Sequence, residues 1–133
     1  MSESGPEIVE GDGFALASEL VGEGYGFRKL RKQLGVEAFG VNAIVLPPGY
    51  ETGQHFHDEQ QELYFVHRGE MEMELGDGVR HRLGEGGAAR VDPSTVRKVR
   101  NPSASDDLVY VVVGGKDGYV GRDGRQPEGE SRP

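Results

Sequence analysis

The sequence predicts an all-β fold, a sandwich or barrel of short strands, and three observations lead there. Glycine is frequent, at 22 residues, and falls in clusters that punctuate the chain. The segments between these clusters are of strand length and rich in Val, Leu, Met, Tyr and Phe. No segment reads as a helix of convincing length.

The elements follow in order. "FALASELV" (14–21) reads equally as two turns of helix or as a strand entering the sheet. "FRKLRKQL" (27–34) reads as a strand or short helical turn with a solvated charged edge, the alternative being an anion- or partner-binding edge. "FGVNAIVL" (39–46) and "ELYFVH" (62–67) are strands. "EMEMEL" (70–75) alternates strictly, with Met71, Met73 and Leu75 on one face and Glu70, Glu72 and Glu74 on the other. With "VRHRL" (79–83) it makes a β-hairpin whose turn is Gly76-Asp77-Gly78. "AARV" (88–91), "VRKVRN" (96–101) and "LVYVVV" (108–113) complete the strands. From 121 onward "GRDGRQPEGESRP" has no apolar residue, so residues 119–133 are expected as a flexible tail. Residues 1–24 are then an N-terminal extension and 25–118 a single β-barrel domain. Both faces of "LVYVVV" and "ELYFV" are apolar, more than one small core needs.

The formal net charge is −8, from 23 acidic and 15 basic side chains. A nucleic-acid partner calls for a basic face, so that class is set aside. There is no cysteine, which excludes disulfides, thiolate zinc sites and cysteine nucleophiles. No apolar run is long enough to cross a membrane. The opening "MSESGPEIVEGDGF" lacks the basic-then-apolar pattern of a signal peptide, and a cytoplasmic protein is expected. Nothing resembles a Ser/His/Asp nucleophile set or a phosphate-binding glycine loop.

The chemistry concentrates in "GYETGQHFHDEQQELYFVHRG" (49–69). His55 and His57, two apart, point to the same side of a strand. If "DEQQ" (58–61) is a turn, Glu62 opens the neighbouring strand and can face the same point. Two imidazoles and a carboxylate form a mixed nitrogen–oxygen site for a divalent metal, with positions left open for water or substrate. Tyr64 and Val66 share the face of Glu62. His67 falls on the opposite face and His81 on an exposed hairpin arm.

The spacing Gly49, five residues, His55, one residue, His57, four residues, Glu62, six residues, Gly69 resembles the first motif of the cupin superfamily. "PPG" before it and "RGEMEMEL" after it resemble the family's flanks. The resemblance covers the chain from about "FGVNAIVL" to "LVYVVVGG". It implies a cupin-like double-stranded β-helix, a jelly-roll barrel with a central metal. The ion would be manganese, iron, nickel or zinc, held by His55, His57 and Glu62 with a further histidine from a second motif. It also implies a homodimer formed through outer sheet faces.

The second motif resembles "GGAARVDPSTVRKVRN" (86–101), with Gly86, the turn Asp92-Pro93-Ser94-Thr95 and Asn101. Where the family has its histidine this chain has Arg97. A guanidinium offers no lone pair and cannot ligate. Three outcomes stay open: a three-ligand site, an Arg97 that anchors an anionic ligand beside the metal, or a metal-free site with Arg97 paired to Glu62. The expected function is a metal-centred pocket for a small molecule, with Arg97 and Tyr64 touching it. One reading is an oxygenase- or isomerase-like enzyme acting on a small anionic or oxygenated substrate. The other is a non-catalytic, metal-free binding or sensing module.

Overall fold

The computed structural model describes residues 7–76 and 78–127. β1 (Ile8–Gly11) and β2 (Phe14–Ala17) form an antiparallel hairpin. β3 (Gly26–Arg28), a one-turn α1 (Leu30–Leu34) and β4 (Gly40–Leu46) follow. Then come β5 (Phe56–His57), β6 (Gln61–Arg68), β7 (Met71–Glu74) and β8 (Arg80–Leu83). β9 (Ala88–Val91), β10 (Lys98–Arg100), β11 (Leu108–Gly115) and β12 (Gly124–Arg125) end the series.

The strands pair into a five-stranded antiparallel sheet, β3-β4-β11-β6-β9, and a three-stranded one, β10-β7-β8. Residues 51–55 continue the smaller sheet: Glu51 bridges Arg100, His55 bridges Arg97, and the Thr52 amide donates to the Val99 carbonyl at 2.8 Å. This is the predicted all-β jelly roll. The alternating segments become the inner faces. Along β6, Glu62, Tyr64 and Val66 are buried while Gln61, Leu63, Phe65 and His67 are exposed. Met71 and Met73 of β7 and Val99 of β10 pack from the small sheet against Ile44, Val66 and Leu108 of the large one. Each such side chain removed from water contributes roughly 1.5–3 kcal/mol.

The hairpin β7–β8 has the expected register, Met71 opposite Leu83 and Met73 opposite His81. His81 is exposed on it, and Asp77 of its turn lies outside the described residues. Of the two readings of 14–21, a strand is found over Phe14–Ala17, but it pairs with β1 in a separate two-stranded sheet and does not enter the large one.

Two expectations are corrected. The basic segment 27–34 is not simply a solvated edge, because Arg28 is 1% exposed. Its Nε donates to the Val21 carbonyl at 2.5 Å and its Nη2 to the carbonyls of Glu23 and Gly24, each at 2.7 Å. That loop turns its oxygens inward, and the guanidinium supplies the donors a strandless backbone lacks. The stretch expected as a tail from 119 does not stand off over 119–125. The Arg31 guanidinium lies 4.0 Å over the Tyr119 ring, and β12 pairs with β5. Asp123 accepts from the amides of Glu59 and Gln60 at 3.0 and 2.8 Å, capping the turn between β5 and β6. Residues 128–133 lie outside the described residues, as do 1–6 of the N-terminal extension. Among the described residues no helix is long and apolar enough to cross a membrane.

Candidate metal centre and cavity

The two histidines and the glutamate come from adjoining pieces of chain. His55 sits on the extension of the small sheet, His57 on β5, and Glu62 at the start of β6. Their ligating atoms all lie within 4.8 Å of one another. His57 Nε2 is 3.3 Å from Glu62 Oε2. Ligands on adjacent positions of one ion stand about 3 to 3.5 Å apart at bond lengths near 2.1 Å, so this pair already has that spacing. The imidazole rings of His55 and His57 meet edge to face, with centroids 5.5 Å apart.

His57 is also held from behind. Its Nδ1 lies 3.5 Å from Asp123 Oδ2 and 3.2 Å from the Gln60 side-chain amide. The buried Gln60 Oε1 has no partner among the described residues. With that amide turned over, its oxygen would accept from Nδ1–H, an orientation set by the hydrogen-bond network. Acceptors at Nδ1 would keep a proton there when a bound ion takes the Nε2 lone pair, as in carboxylate–histidine–metal sets. Gly114, opposite Glu62 on β11, keeps this corner open. A Cβ there would meet Glu62 Cγ at 3.3 Å and Gln60 Cδ at 3.4 Å.

Glu62 is fixed by three groups. Tyr64 Oη donates to its Oε1 at 2.9 Å, His57 faces its Oε2, and Arg97 Nη2 lies 3.7 Å from Oε1. Burial raises the Glu62 carboxyl, but the His57 hydrogen bond and charge, with Arg97 and Tyr64, outweigh it and hold it below its ordinary range. Burial, and next the Arg97 guanidinium, push His55 down to about 4, so this imidazole is neutral and able to ligate near neutral pH. Burial, with Glu62 beside it, keeps the Tyr64 hydroxyl protonated far into alkaline conditions.

Position 97 pairs directly across from His55, with backbone hydrogen bonds both ways at 3.0 and 2.9 Å. Directly opposed residues of an antiparallel pair share a face, so Arg97 occupies the site side, where the second-motif alignment puts it. The side chain is 0% exposed. It turns back to donate to the carbonyls of Pro93 and Asp92, at 3.3 and 3.2 Å. Its Nε has no partner among the described residues. Asn101 of the same motif is structural: its Nδ2 donates to the carbonyls of Leu46 and Asp106 and its Oδ1 accepts from Ser103.

Beside these three residues lies a cavity of about 340 Å³, lined mainly by apolar and aromatic side chains, with Asn42 and Thr52 among its polar ones. His55, Glu62 and Tyr64 reach it; Arg97, expected to touch a ligand, is not among its lining residues. Two acidic side chains that flank the histidines in sequence are engaged elsewhere. Glu51 pairs with Lys98, and Asp58 accepts from Arg125 Nε at 2.6 Å. Asp123 and Gln60 were not singled out from the sequence. Asp123 stands 66 residues beyond His57, in a polar stretch with no spacing to mark it.

A family profile for the cupin domain matches residues 42–114, more than half of the chain. No curated protein matches it. Among solved structures, a sugar phosphate isomerase from a cupin superfamily of Silicibacter pomeroyi is 26% identical, with a TM-score of 0.61, over 79% of this chain and 60% of that one. A cupin protein from Bacteroides fragilis is 22% identical, with a TM-score of 0.63, over 86% and 90%. The DMSP lyase DddQ from Ruegeria pomeroyi is 18% identical, with a TM-score of 0.66, over 94% and 64%. The last two likenesses concern the fold alone, and the chain spans less than two thirds of the isomerase and of the lyase. With the first motif converged inside a jelly-roll barrel and the family profile running from β4 into β11, the chain belongs to the cupin superfamily.

Proposed function

We propose that this cupin binds a divalent ion through His55, His57 and Glu62 and presents it to a small molecule held in the adjoining cavity, as an enzyme of oxygenase- or isomerase-like type. The carrying observation is the convergence of three ligating atoms within 4.8 Å at the polar end of an apolar cavity. A bound ion would supply Lewis acidity toward an oxygen of the ligand. The protein's own groups do the positioning. Asp123 and Gln60 hold the His57 ring, Tyr64 holds one oxygen of Glu62, and the aromatic walls exclude water. We also read the chain as a homodimer, since Leu63 and Phe65 stand on the outer face of β6 at 46% and 40% exposure. The cysteine-free composition fits a reducing compartment such as the cytoplasm.

A second reading has its own observation: Glu62 is already bonded to Tyr64 and faced by His57 and Arg97, so its charge is compensated without an ion. On that reading the barrel is a metal-free binding module. Elemental analysis of the purified protein, with calorimetric titration of manganese, nickel and zinc, separates the two. Uptake of one ion per chain, lost in His57→Ala, is the expected result. No uptake by the wild type, together with uptake by Arg97→His, favours the module.

A further inference from the structure

We infer that the ligand of this cavity is an uncharged, largely apolar molecule of one or two rings bearing an oxygen function at one end, of the phenol or enol class. The place rests on the pocket proposed above; the ligand class rests on the lining and not on the metal. The walls are Ile44, Leu46, Val99 and Val112, with the rings of Tyr64 and Tyr110 stacked at a centroid distance of 6.1 Å. Among the described residues no lysine or arginine lines the cavity. The Arg97 guanidinium, beside Glu62, is committed to two backbone carbonyls and to that carboxylate. The one other buried arginine among the described residues, Arg28, is committed to the carbonyls of Val21, Glu23 and Gly24.

An anion entering here would lose its water and meet Glu62 with no cation to replace it. The chain's net charge of −8 adds to the disfavour. A polyol fares little better: Asn42, Thr52, His55 and Glu62 offer it a few partners, but most of the wall is apolar, and hydroxyls facing Ile44, Leu46, Val99 and Val112 would stay unpaired. An apolar ring system gains from the same walls, and its single oxygen can sit at the end where His55, Glu62 and Tyr64 meet. The opening supports this. Tyr25, Phe27 and Tyr50 line it while 37%, 53% and 46% exposed, which gives an aromatic rim on an acidic protein. A volume of about 340 Å³ stands at the small end of the range for small-molecule sites, so one or two rings fill it.

The test titrates 2-naphthol, 2-naphthyl phosphate, glucose 6-phosphate and choline into the full chain by calorimetry, after chelator treatment and again after manganese loading. One 2-naphthol per chain is expected in both states. In the metal-free protein the phosphate ester should bind at least tenfold more weakly, and glucose 6-phosphate and choline should give no heat. Val112→Trp, which fills the cavity, should weaken 2-naphthol at least tenfold, and Tyr50→Ala at the rim severalfold. Circular dichroism checks the fold, and if Val112→Trp does not fold, Tyr50→Ala decides. Phosphate ester as tight as 2-naphthol in the metal-free protein, choline bound in its place, or unchanged affinity in the folded variants would overturn the inference. Naphthol binding without manganese binding removes the metal reading and leaves this one standing. Manganese binding without naphthol binding does the reverse.

Discussion

A histidine offers one nitrogen to a metal only when the other holds the proton, and at His57 the groups behind Nδ1 decide which. Asp123→Ala removes the carboxylate 3.5 Å away, together with its cap on the β5–β6 turn, and should weaken manganese binding roughly 10- to 100-fold although all three ligating residues remain, read by calorimetry. Arg97→His should tighten the same titration. Position 97 shares the site face with His55, so the change adds a ligand and removes a cation. His55 sets a pH dependence in the chelator-treated protein. Burial and Arg97 lower it from 6.5 to about 4, so between these values the unfolded chain holds more protons than the folded one. Stability is therefore full above pH 6.5 and falls as the pH drops toward 4, by at most on the order of 3 kcal/mol. Urea midpoints followed from neutral to mildly acid pH should show this slope, and His55→Gln should flatten it. The depressed Glu62 adds a loss only at lower pH, as its own folded-state pKa is crossed.

At the scale of elements, the two glycines that frame the first motif carry different burdens. Gly49 has φ 75° and nothing within 4 Å of a would-be Cβ. Gly69 has φ 86°, and its Cβ would stand 2.5 Å from the Asp107 carbonyl oxygen. Gly49→Ala should cost about 1–2 kcal/mol for the left-handed backbone alone. Gly69→Ala should cost more, roughly 3 kcal/mol or above, because the loop before β11 must also move. Thermal melts of the two variants give the order directly. The strap formed by residues 119–125 is the other element that acts on the site. It supplies the carboxylate that both caps the β5–β6 turn and faces His57.

At the scale of the molecule, the outer face of the large sheet is the unmatched surface. Leu63 and Phe65 of β6 are exposed there, beside the half-buried Val111 and Val113 of β11. Residues 14–21 are one apolar segment of the same chain that could cover this face. Within this chain they do not bury their large side chains, since Phe14 and Leu16 are 54% and 57% exposed. A second copy of the chain, lending its hairpin or its sheet, suits such a face. Light scattering should give a dimer mass at micromolar concentration, and a Leu63→Glu, Phe65→Glu double variant should run as a monomer with its fold intact.

The period of two along "EMEMEL" settled by itself which of its side chains enter the barrel, while on the doubly apolar "ELYFV" the place of Glu62 set the face. Alternation on a strand is a local property, and burying the wrong face would expose every apolar residue at once. The same locality made His55, His57 and Glu62 legible, because one short turn brings them together. Arg97 was legible as a departure in the second motif, but its direction was not. Whether a long guanidinium points at a metal or back at the carbonyls of Asp92 and Pro93 depends on how the 92–95 turn packs. Arg28 read as surface because charge near the chain's basic cluster is ordinarily solvated. Only the fold of the 21–24 loop gave it carbonyls to satisfy. Asp123 and the apolar cavity belonged wholly to the tertiary structure. The first is a contact between residues far apart in sequence, and the second is a space left between two sheets, which no single strand encodes.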